Sequence, residues 1–289
     1  MMNKDSIFFP HLHVYFHRVG DHISVFGFSV MYYGMAIALG MLLAGCFILR
    51  EGHKEGMKED DLLDVLLWGI VCGIIGARCY YVMFSLSEYR GRWGSVFNLR
   101  EGGLAIFGGI LGCLFAVVIV TRRKGLPFLK VADILVFGGL IGQIFGRWGN
   151  FFNREAFGGY TDGLFAMCLP VSAVRQARAV TEEMLEHAVE RNGLTWISVH
   201  PTFLYESLWN IGVFLVLYFV IRKRKYWDGQ VFFSYLLFYG AGRFWIEGLR
   251  TDQLRLPMTS LAISQCLAGV CVIMASSILG FHYFKRVSK

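Results

Sequence analysis

The chain has 289 residues, of which 55% are hydrophobic and only 17% charged, and its mean hydropathy is +0.51. A soluble domain carries about 25% charged residues, and apolar stretches of about 20 residues recur here, so the expected fold class is an all-α polytopic membrane protein. The net charge of +7 suits nucleic acid in principle, but the basic residues fall in short clusters between apolar segments, the pattern of topology signals rather than of a binding groove.

In chain order, Met1 to Gly20 lacks a basic region followed by an apolar core and a small-residue cleavage site, so no cleaved leader is expected. About seven transmembrane spans follow, near 23–49, 62–86, 103–121, 131–152, 203–221, 229–249 and 260–284. Dense basic clusters occupy alternate connections: Arg50, Lys54 and Lys58; Arg122, Arg123, Lys124 and Lys130; Arg222 to Lys225; and Lys285, Arg286 and Lys289. The positive-inside rule places these in the cytoplasm, with the N-terminus outside and the C-terminus inside. The chain 1–289 reads as a single integral membrane domain, with 153–202 inserted between the fourth and fifth spans as a small external lobe. In that lobe Glu182, Glu183, Glu186 and Glu190 stand at helical spacing, as on a solvated helix face. The seven cysteines are scattered without a CxxC pair, which indicates neither a disulfide framework nor a metal site. Many of the 34 glycines lie inside spans, where small residues let helices approach closely. Gly102-Gly103 and Gly108-Gly109 can instead admit a ligand or an unwound turn.

Polar residues gather at the outer ends of several spans. The run Gly146-Arg147-Trp148-Gly149-Asn150-Phe151-Phe152-Asn153-Arg154-Glu155-Ala156-Phe157-Gly158 closes the fourth span. An arginine at helix centre costs roughly 2.5–3.5 kcal/mol on insertion scales, a cost usually tolerated where the residue lines a functional cavity. At about 1.5 Å per residue, Arg147 and Arg243 both lie roughly 9 Å below the outer ends of their spans, and neither has a neighbouring acidic residue adequate for both. On the sixth span Tyr239, Arg243 and Glu247 share one face at i, i+4 and i+8, with Arg250 beyond them. The fifth span opens with His200-Pro201-Thr202-Phe203-Leu204-Tyr205-Glu206, and Tyr33 stands in the first. Singly, each residue has an ordinary reading as a belt tyrosine, a cap or a structural ion pair. Together they describe a site for an anionic phospholipid head group, because guanidinium forks match phosphate oxygens. Asn150, Asn153 and Tyr239 can add neutral hydrogen bonds. Arg78, with Tyr80 and Tyr81, is either a second polar spot or a snorkelling side chain.

The blocks Gly146-Arg147-x-Gly149-Asn150-Phe151-x-Asn153-x-Glu155-x-x-Gly158, His200-Pro201-x-x-Leu204-Tyr205-Glu206 and Tyr239-Gly240-x-x-Arg243-x-x-x-Glu247-x-x-Arg250 resemble, in order, the signatures of bacterial phosphatidylglycerol–prolipoprotein diacylglyceryl transferases. Tyr33-Gly34 and Glu101-Gly102-Gly103 also fit, and the resemblance spans nearly the whole chain. It implies transfer of the diacylglyceryl group of phosphatidylglycerol to the thiol of a lipobox cysteine in a preprolipoprotein, forming a thioether and releasing glycerol-1-phosphate. This is the first step of lipoprotein maturation, in the bacterial cytoplasmic membrane, with the site facing the outer leaflet. No cofactor, metal or nucleic acid is implied; the partners are phosphatidylglycerol, the lipobox substrate and the bilayer. Arg243 is assigned to the leaving phosphate, and Arg147 with Asn150 to the head group. Tyr33 and Tyr239 would orient the glycerol or phosphate, and Glu247 would hold Arg243. Glu155 and Asn153 would shape the mouth, and Gly158, Gly102 and Gly103 complete the lipid-binding set. One position departs from the family pattern: Phe107 stands where several members carry a histidine proposed to activate the thiol. Phe107 cannot carry a proton. Either His200 or Tyr33 acts as base, or a dedicated base is dispensable for a thiol whose pKa is near 8.5. Two other readings compete. A transporter would need polar lining across the whole bilayer, and a serine hydrolase would be expected to carry a nucleophile elbow such as GxSxG.

Overall fold

The computed structural model describes residues 3–99, 102–256 and 261–288; Glu101, part of the quoted pattern, lies outside them. Short strands β1 (Ile7–Phe9), β2 (Val14–Phe16), β3 (His22–Val25) and β4 (Phe28–Met31) precede helices α1 (Tyr32–Lys54), α2 (Glu59–Phe84), α3 (Leu86–Tyr89), α4 (Ile106–Lys124) and α5 (Phe128–Asn153). After these come β5 (Met167–Pro170), α6 (Glu182–Glu186), β6 (Val189–Arg191), β7 (Leu194–Val199), α7 (Thr202–Val216), α8 (Gln230–Leu249) and α9 (Ile263–Val287). Helix α7 continues through a π turn and a 3-10 turn to Arg224.

Six of these helices are long and apolar enough to cross a bilayer: α1, α2, α4, α5, α7 with its extension, and α9. The chain is thus a helical, multi-pass membrane protein. Helix α8 has 20 residues, but Arg243 and Glu247 dilute its apolar character and it is not among the six. The first span begins nine residues later than the expected start at 23, because His22–Met31 folds as a β-hairpin. A second correction concerns the lobe. Glu182, Glu183 and Glu186 do share a helix, α6, but Glu190 lies on strand β6. Asn192 and Gly193 both adopt positive φ there, 54° and 71°. They turn β6 back onto β7, as an Asn-Gly pair favours.

The chain divides into two compact units, 1–44 with 136–289, and 45–135. In the smaller unit, α2 and α4 pack through glycines. A Cβ on Gly76 would strike the Gly108 carbonyl and come within 3.1 Å of Gly112 Cα, and one on Gly73 would touch Gly109 O at 3.6 Å. Close backbone approach is their role here. Beside this seam, Ile48, Leu62, Val65, Val117, Val120, Val131 and Ile134 form an apolar core. Arg78 is buried and resolves the earlier ambiguity. It does not snorkel; its guanidinium donates to the carbonyls of Val96, Gly102, Gly103, Ser95 and Asn98 at 2.7–3.1 Å. Gly102 and Gly103 hold φ of 80° and 75°, and a Cβ on Gly103 would meet Arg78 Nη1 at 2.5 Å. Both glycines are thus required by the turn that Arg78 holds.

In the larger unit, a five-stranded antiparallel sheet in the order β2-β1-β5-β7-β6 packs on the ends of α5 and α7. Its core joins Ile7, Leu169, Ile197 and Val199 to Phe151, Phe157 and Phe203. Helices α7 and α8 are tied by Trp209 Nε1 donating to Phe238 O at 2.9 Å, and α7 to α5 by Ser207 Oγ donating to Ile144 O at 3.0 Å. Gly240 lets α9 approach α8, since a Cβ there would lie 3.1 Å from Ala268 O.

The glycine seam makes a contrast that can be measured. Gly76→Ala places a methyl against opposing backbone and should cost about 1–3 kcal/mol, as overpacking does. Gly45→Ala meets nothing within 4 Å and should be neutral or stabilise by up to about 1 kcal/mol through helix propensity. Thermal denaturation in detergent would separate the two; equal melting temperatures would contradict the seam.

Candidate active site

The site is built around the end of α5. The helix stops at Asn153 because Arg154 turns left-handed, with φ of 50°, and Ala156 follows at 57°. Helices commonly end on such a residue, usually glycine, because it returns the chain against its last turn. Here Glu155 N donates to Asn150 O at 3.1 Å, which brings the Glu155 side chain under the helix it has just left. Asn150 Nδ2 and Asn153 Nδ2 both donate to Glu155 Oε1, at 3.2 and 3.0 Å. The same turn points Arg154 the other way, into the N-terminal segment, where it donates to the carbonyls of Asp5 and Val19. One sequence run therefore serves two places: Arg147, Asn150, Asn153 and Glu155 face the polar cluster, while Phe151, Arg154 and Phe157 anchor the sheet.

Glu206, in the second turn of α7 and only 4% exposed, joins the two arginines. Its Oε2 lies 2.6 Å from Arg147 Nε and its Oε1 accepts from Arg243 Nη1 at 2.6 Å. The acid that serves both arginines is thus a neighbour of neither in sequence but comes from a third helix. Glu206 stands in the quoted His200–Glu206 block, but its position on a third helix hides the pairing in sequence; the available signal is a lone carboxylate in the second turn of an otherwise apolar helix. Arg243 Nη2 also pairs with Glu247 one turn along α8, as the i, i+4 spacing allows. Arg147 Nη1 reaches Asn150 Oδ1 at 3.4 Å. A continuous polar chain results: Glu247, Arg243, Glu206, Arg147, Asn150, Glu155, Asn153. Two members were not foreseen at its ends. Arg175 Nε lies 3.5 Å from Glu155 Oε2, and Asp252 takes both ends of the Arg250 fork at 2.9 Å.

The remaining residues surround this chain. Tyr33 lays its ring on the bare Cα of Gly149, where a Cβ would fall 2.7 Å from Tyr33 Cε2. Tyr239 stacks on Tyr235 with centroids 5.3 Å apart, and Tyr235 accepts a hydrogen bond from Gln143 Nε2 at 2.8 Å. Among the described residues neither the Tyr33 nor the Tyr239 hydroxyl bonds to the arginines. His200 stands apart from the chain: its Nδ1 lies 3.2 Å from the Tyr205 hydroxyl. Gly158 N donates to His200 O at 2.9 Å, and Gly159 N to Leu249 O at 3.0 Å. A Cβ on Gly158 would come within 2.8 Å of His200 Cβ and 2.9 Å of Leu249 O. Gly158 is therefore where three segments cross. Gly102 and Gly103 belong to the smaller unit, against Arg78.

Chemically, this is an anion-binding cluster with spare capacity. Among the described residues, no hydrogen bond uses Arg147 Nη2 or Arg243 Nε. Both arginines are partly open, at 19% and 16% side-chain exposure.

The sequence profile described as prolipoprotein diacylglyceryl transferase matches residues 21–281. The chain belongs to this family. A curated relative in Clostridioides difficile (strain 630), named phosphatidylglycerol–prolipoprotein diacylglyceryl transferase, is 41% identical over 86% of this chain and 89% of its own length. A relative of the same name in Finegoldia magna is 37% identical over 92% of this chain and 96% of its own. A third, in Lysinibacillus sphaericus (strain C3-41), is 39% identical over 89% of each. The family match thus spans both units and every block of the cluster.

Burial pulls the His200 pKa below the usual imidazole value, so the ring is neutral at neutral pH and can accept a proton. The folded state also takes up that proton less readily than the unfolded chain, whose histidine titrates near 6.5. Above that pH the residue contributes no difference; as pH falls through about 6.5, the unfolded chain protonates first and stability drops. His200→Gln should flatten this part of the stability profile between about pH 6.5 and 5. An unchanged slope would place the imidazole in a more hydrated setting.

Proposed function

We propose that this protein transfers the diacylglyceryl group of phosphatidylglycerol to the lipobox cysteine thiol of a preprolipoprotein. The observation that carries the reading is the pair of arginines from two helices held on one carboxylate, each with a donor left over. Family membership and the names of the relatives supply the substrates. The thiol sulfur attacks the glycerol carbon bonded to the phosphate oxygen; the S–C bond forms as the C–O bond breaks. The electron pair goes to the phosphate oxygen, and the thiol proton leaves to solvent or a base. Negative charge builds on the departing glycerol-1-phosphate, and cationic donors already fixed in place stabilise it more in the transition state than in the ground state.

In this reading Arg243 binds the leaving phosphate, and Arg147 with Asn150 the head group. Glu206 and Glu247 hold the guanidiniums at a set spacing, so little reorganisation is needed when the phosphate arrives. Tyr33 and Tyr239 offer uncommitted hydroxyls to the glycerol. Glu155 and Asn153 shape the mouth, and Gly158 keeps His200 and Leu249 in register with it. His200, whose imidazole is neutral at neutral pH, and Tyr33 are the two candidates to take the thiol proton. The basic clusters support a topology with seven spans, α8 included, the N-terminus outside and the C-terminus in the cytoplasm. The lobe 153–202 and the arginine cluster then face the outer side of the cytoplasmic membrane.

Purified protein incubated with phosphatidylglycerol and a lipobox peptide should add a diacylglyceryl mass to the peptide thiol. A folded protein that adds none would sink the proposal. Arg243→Ala should reduce turnover by at least about a hundredfold, the scale of losing a preorganised charge donor. Lys124→Ala, which removes a cation paired with Asp61 and Asp64 in the smaller unit, should leave turnover within about threefold, since exposed ion pairs contribute little. Equal losses would argue against the site. Glu206→Gln keeps the shape but frees the arginines from their shared charge. It should lower kcat about tenfold or more while the protein stays folded, with the loss in kcat rather than KM, because positioning is realised in the transition state; an unchanged kcat would reduce Glu206 to a structural ion.

A further inference from the structure

The hairpin β3–β4 belongs to no larger sheet. Its register pairs His22 with Met31, Ile23 with Val30, Ser24 with Ser29 and Val25 with Phe28. Side chains alternate along a strand, so Ile23, Phe28 and Val30 share one face, while His22, Ser24, Ser29 and Met31 share the other. The first face is bare: Ile23 and Val30 are exposed, Phe28 is 75% exposed, and Phe26 at the tip is 98% exposed. A lone two-stranded hairpin is marginal in water and needs a surface against which to bury an apolar face.

The tip sharpens this. Phe26 and Gly27 both have positive φ, 48° and 83°, the two-residue turn that favours Asn-Gly. A bulky residue in the left-handed region is strained, and Phe26 receives no packing within the chain in return. The hairpin's position supplies the missing partner. Strand β4 ends at Met31 and α1 begins at Tyr32 without a linker, and Tyr32 N donates to Asp21 O at 2.9 Å, closing the hairpin base. Helix α1 is one of the membrane-capable helices, so the hairpin is tied to the membrane edge at the mouth of that span.

We propose that the β3–β4 hairpin rests its Ile23, Phe28 and Val30 face, with Phe26 at its tip, in the interfacial layer of the leaflet where α1 begins. The occupant of this face is the phospholipid bilayer. Two open strand edges forbid deep insertion, because unpaired backbone groups are not tolerated in hydrocarbon. The aromatic side chains reach inward, as aromatic residues do at membrane interfaces, and Ser24 and Ser29 stay on the hydrated side.

Full-length protein in nanodiscs of phosphatidylglycerol and phosphatidylcholine tests this, with the photoreactive residue p-benzoylphenylalanine replacing Phe26, Phe28 or Ser24 in turn. After irradiation without peptide, intact mass should show phospholipid adducts at positions 26 and 28 at least roughly fivefold above position 24, as one-faced interfacial binding requires. Similar yields at all three positions would overturn the proposal. So would adducts at 26 and 28 that pass from lipid to peptide when a lipobox peptide with its apolar segment is added, which would make the face a peptide dock. Phe26→Asn suits the turn better and should preserve the fold while lowering the lipid adduct from position 28; an undiminished yield would show that the tip does not hold the hairpin down. The readout is independent of transferase activity and stands or falls apart from the proposed reaction.

Discussion

A single carboxylate between two guanidiniums is the constraint around which the larger unit is organised. Arg147 and Arg243 stand on different helices, in apolar surroundings where two unpaired like charges would be costly. Glu206 compensates both at 2.6 Å and does so from a third helix, so α5, α7 and α8 are joined through one ion triad. Breaking such a buried pair by removing a partner typically costs about 3–5 kcal/mol. The surrounding bonds follow from holding this triad in register. Trp209 ties α7 to α8 and Ser207 ties α7 to α5, both within one turn of Glu206. The glycines at 149, 240 and 242 remove bulk where a neighbouring ring or helix must come close.

The triad is connected to the lobe by backbone geometry rather than by charge. The left-handed turn at Arg154 ends α5 and folds Glu155 back under Asn150 and Asn153. Gly158 then threads between His200 and Leu249, and Thr202 Oγ1 donates to the Ala156 carbonyl. Small errors in this crossing would propagate to Arg147, because the same few residues end the helix, start the lobe and support the head of α7. Function and fold share those residues.

Much of this was legible in the sequence. Apolar periodicity and basic clusters gave the helices, and the depth of Arg147 and Arg243 gave their convergence. The i, i+4 spacing of Arg243 and Glu247 gave a pair that the structure contains. What was not legible depended on contacts between distant segments. Glu206 was within a quoted block, yet no local rule says which helix a buried carboxylate faces. Asp252 and Arg175 lie in connections where spacing carries no directional information. The start of α1 is hidden in sequence because a strand of alternating apolar residues running into a helix looks like a longer apolar span. Glu190 departs from the helix for a related reason: four glutamates at helical spacing suggest one face, but the Asn192-Gly193 turn decides the local fold. Arg78 fits two readings in sequence, and only the five carbonyls around its guanidinium decide between them.

The inventory of charges around the triad has a consequence for turnover. Arg147, Arg243, Arg250 and Arg175 are matched by Glu206, Glu247, Asp252 and Glu155, so the cluster is close to neutral before any lipid arrives. On the proposed reading, a phosphodiester with one negative charge is received by donors aimed at it rather than by bulk attraction. Cleavage then leaves a phosphate monoester carrying nearly two charges. A bare pair of arginines would grip that product tightly; a pair already shared with carboxylates repels part of the added charge. The same acids that hold the arginines in place therefore also limit product retention, and positioning and release become two effects of one arrangement.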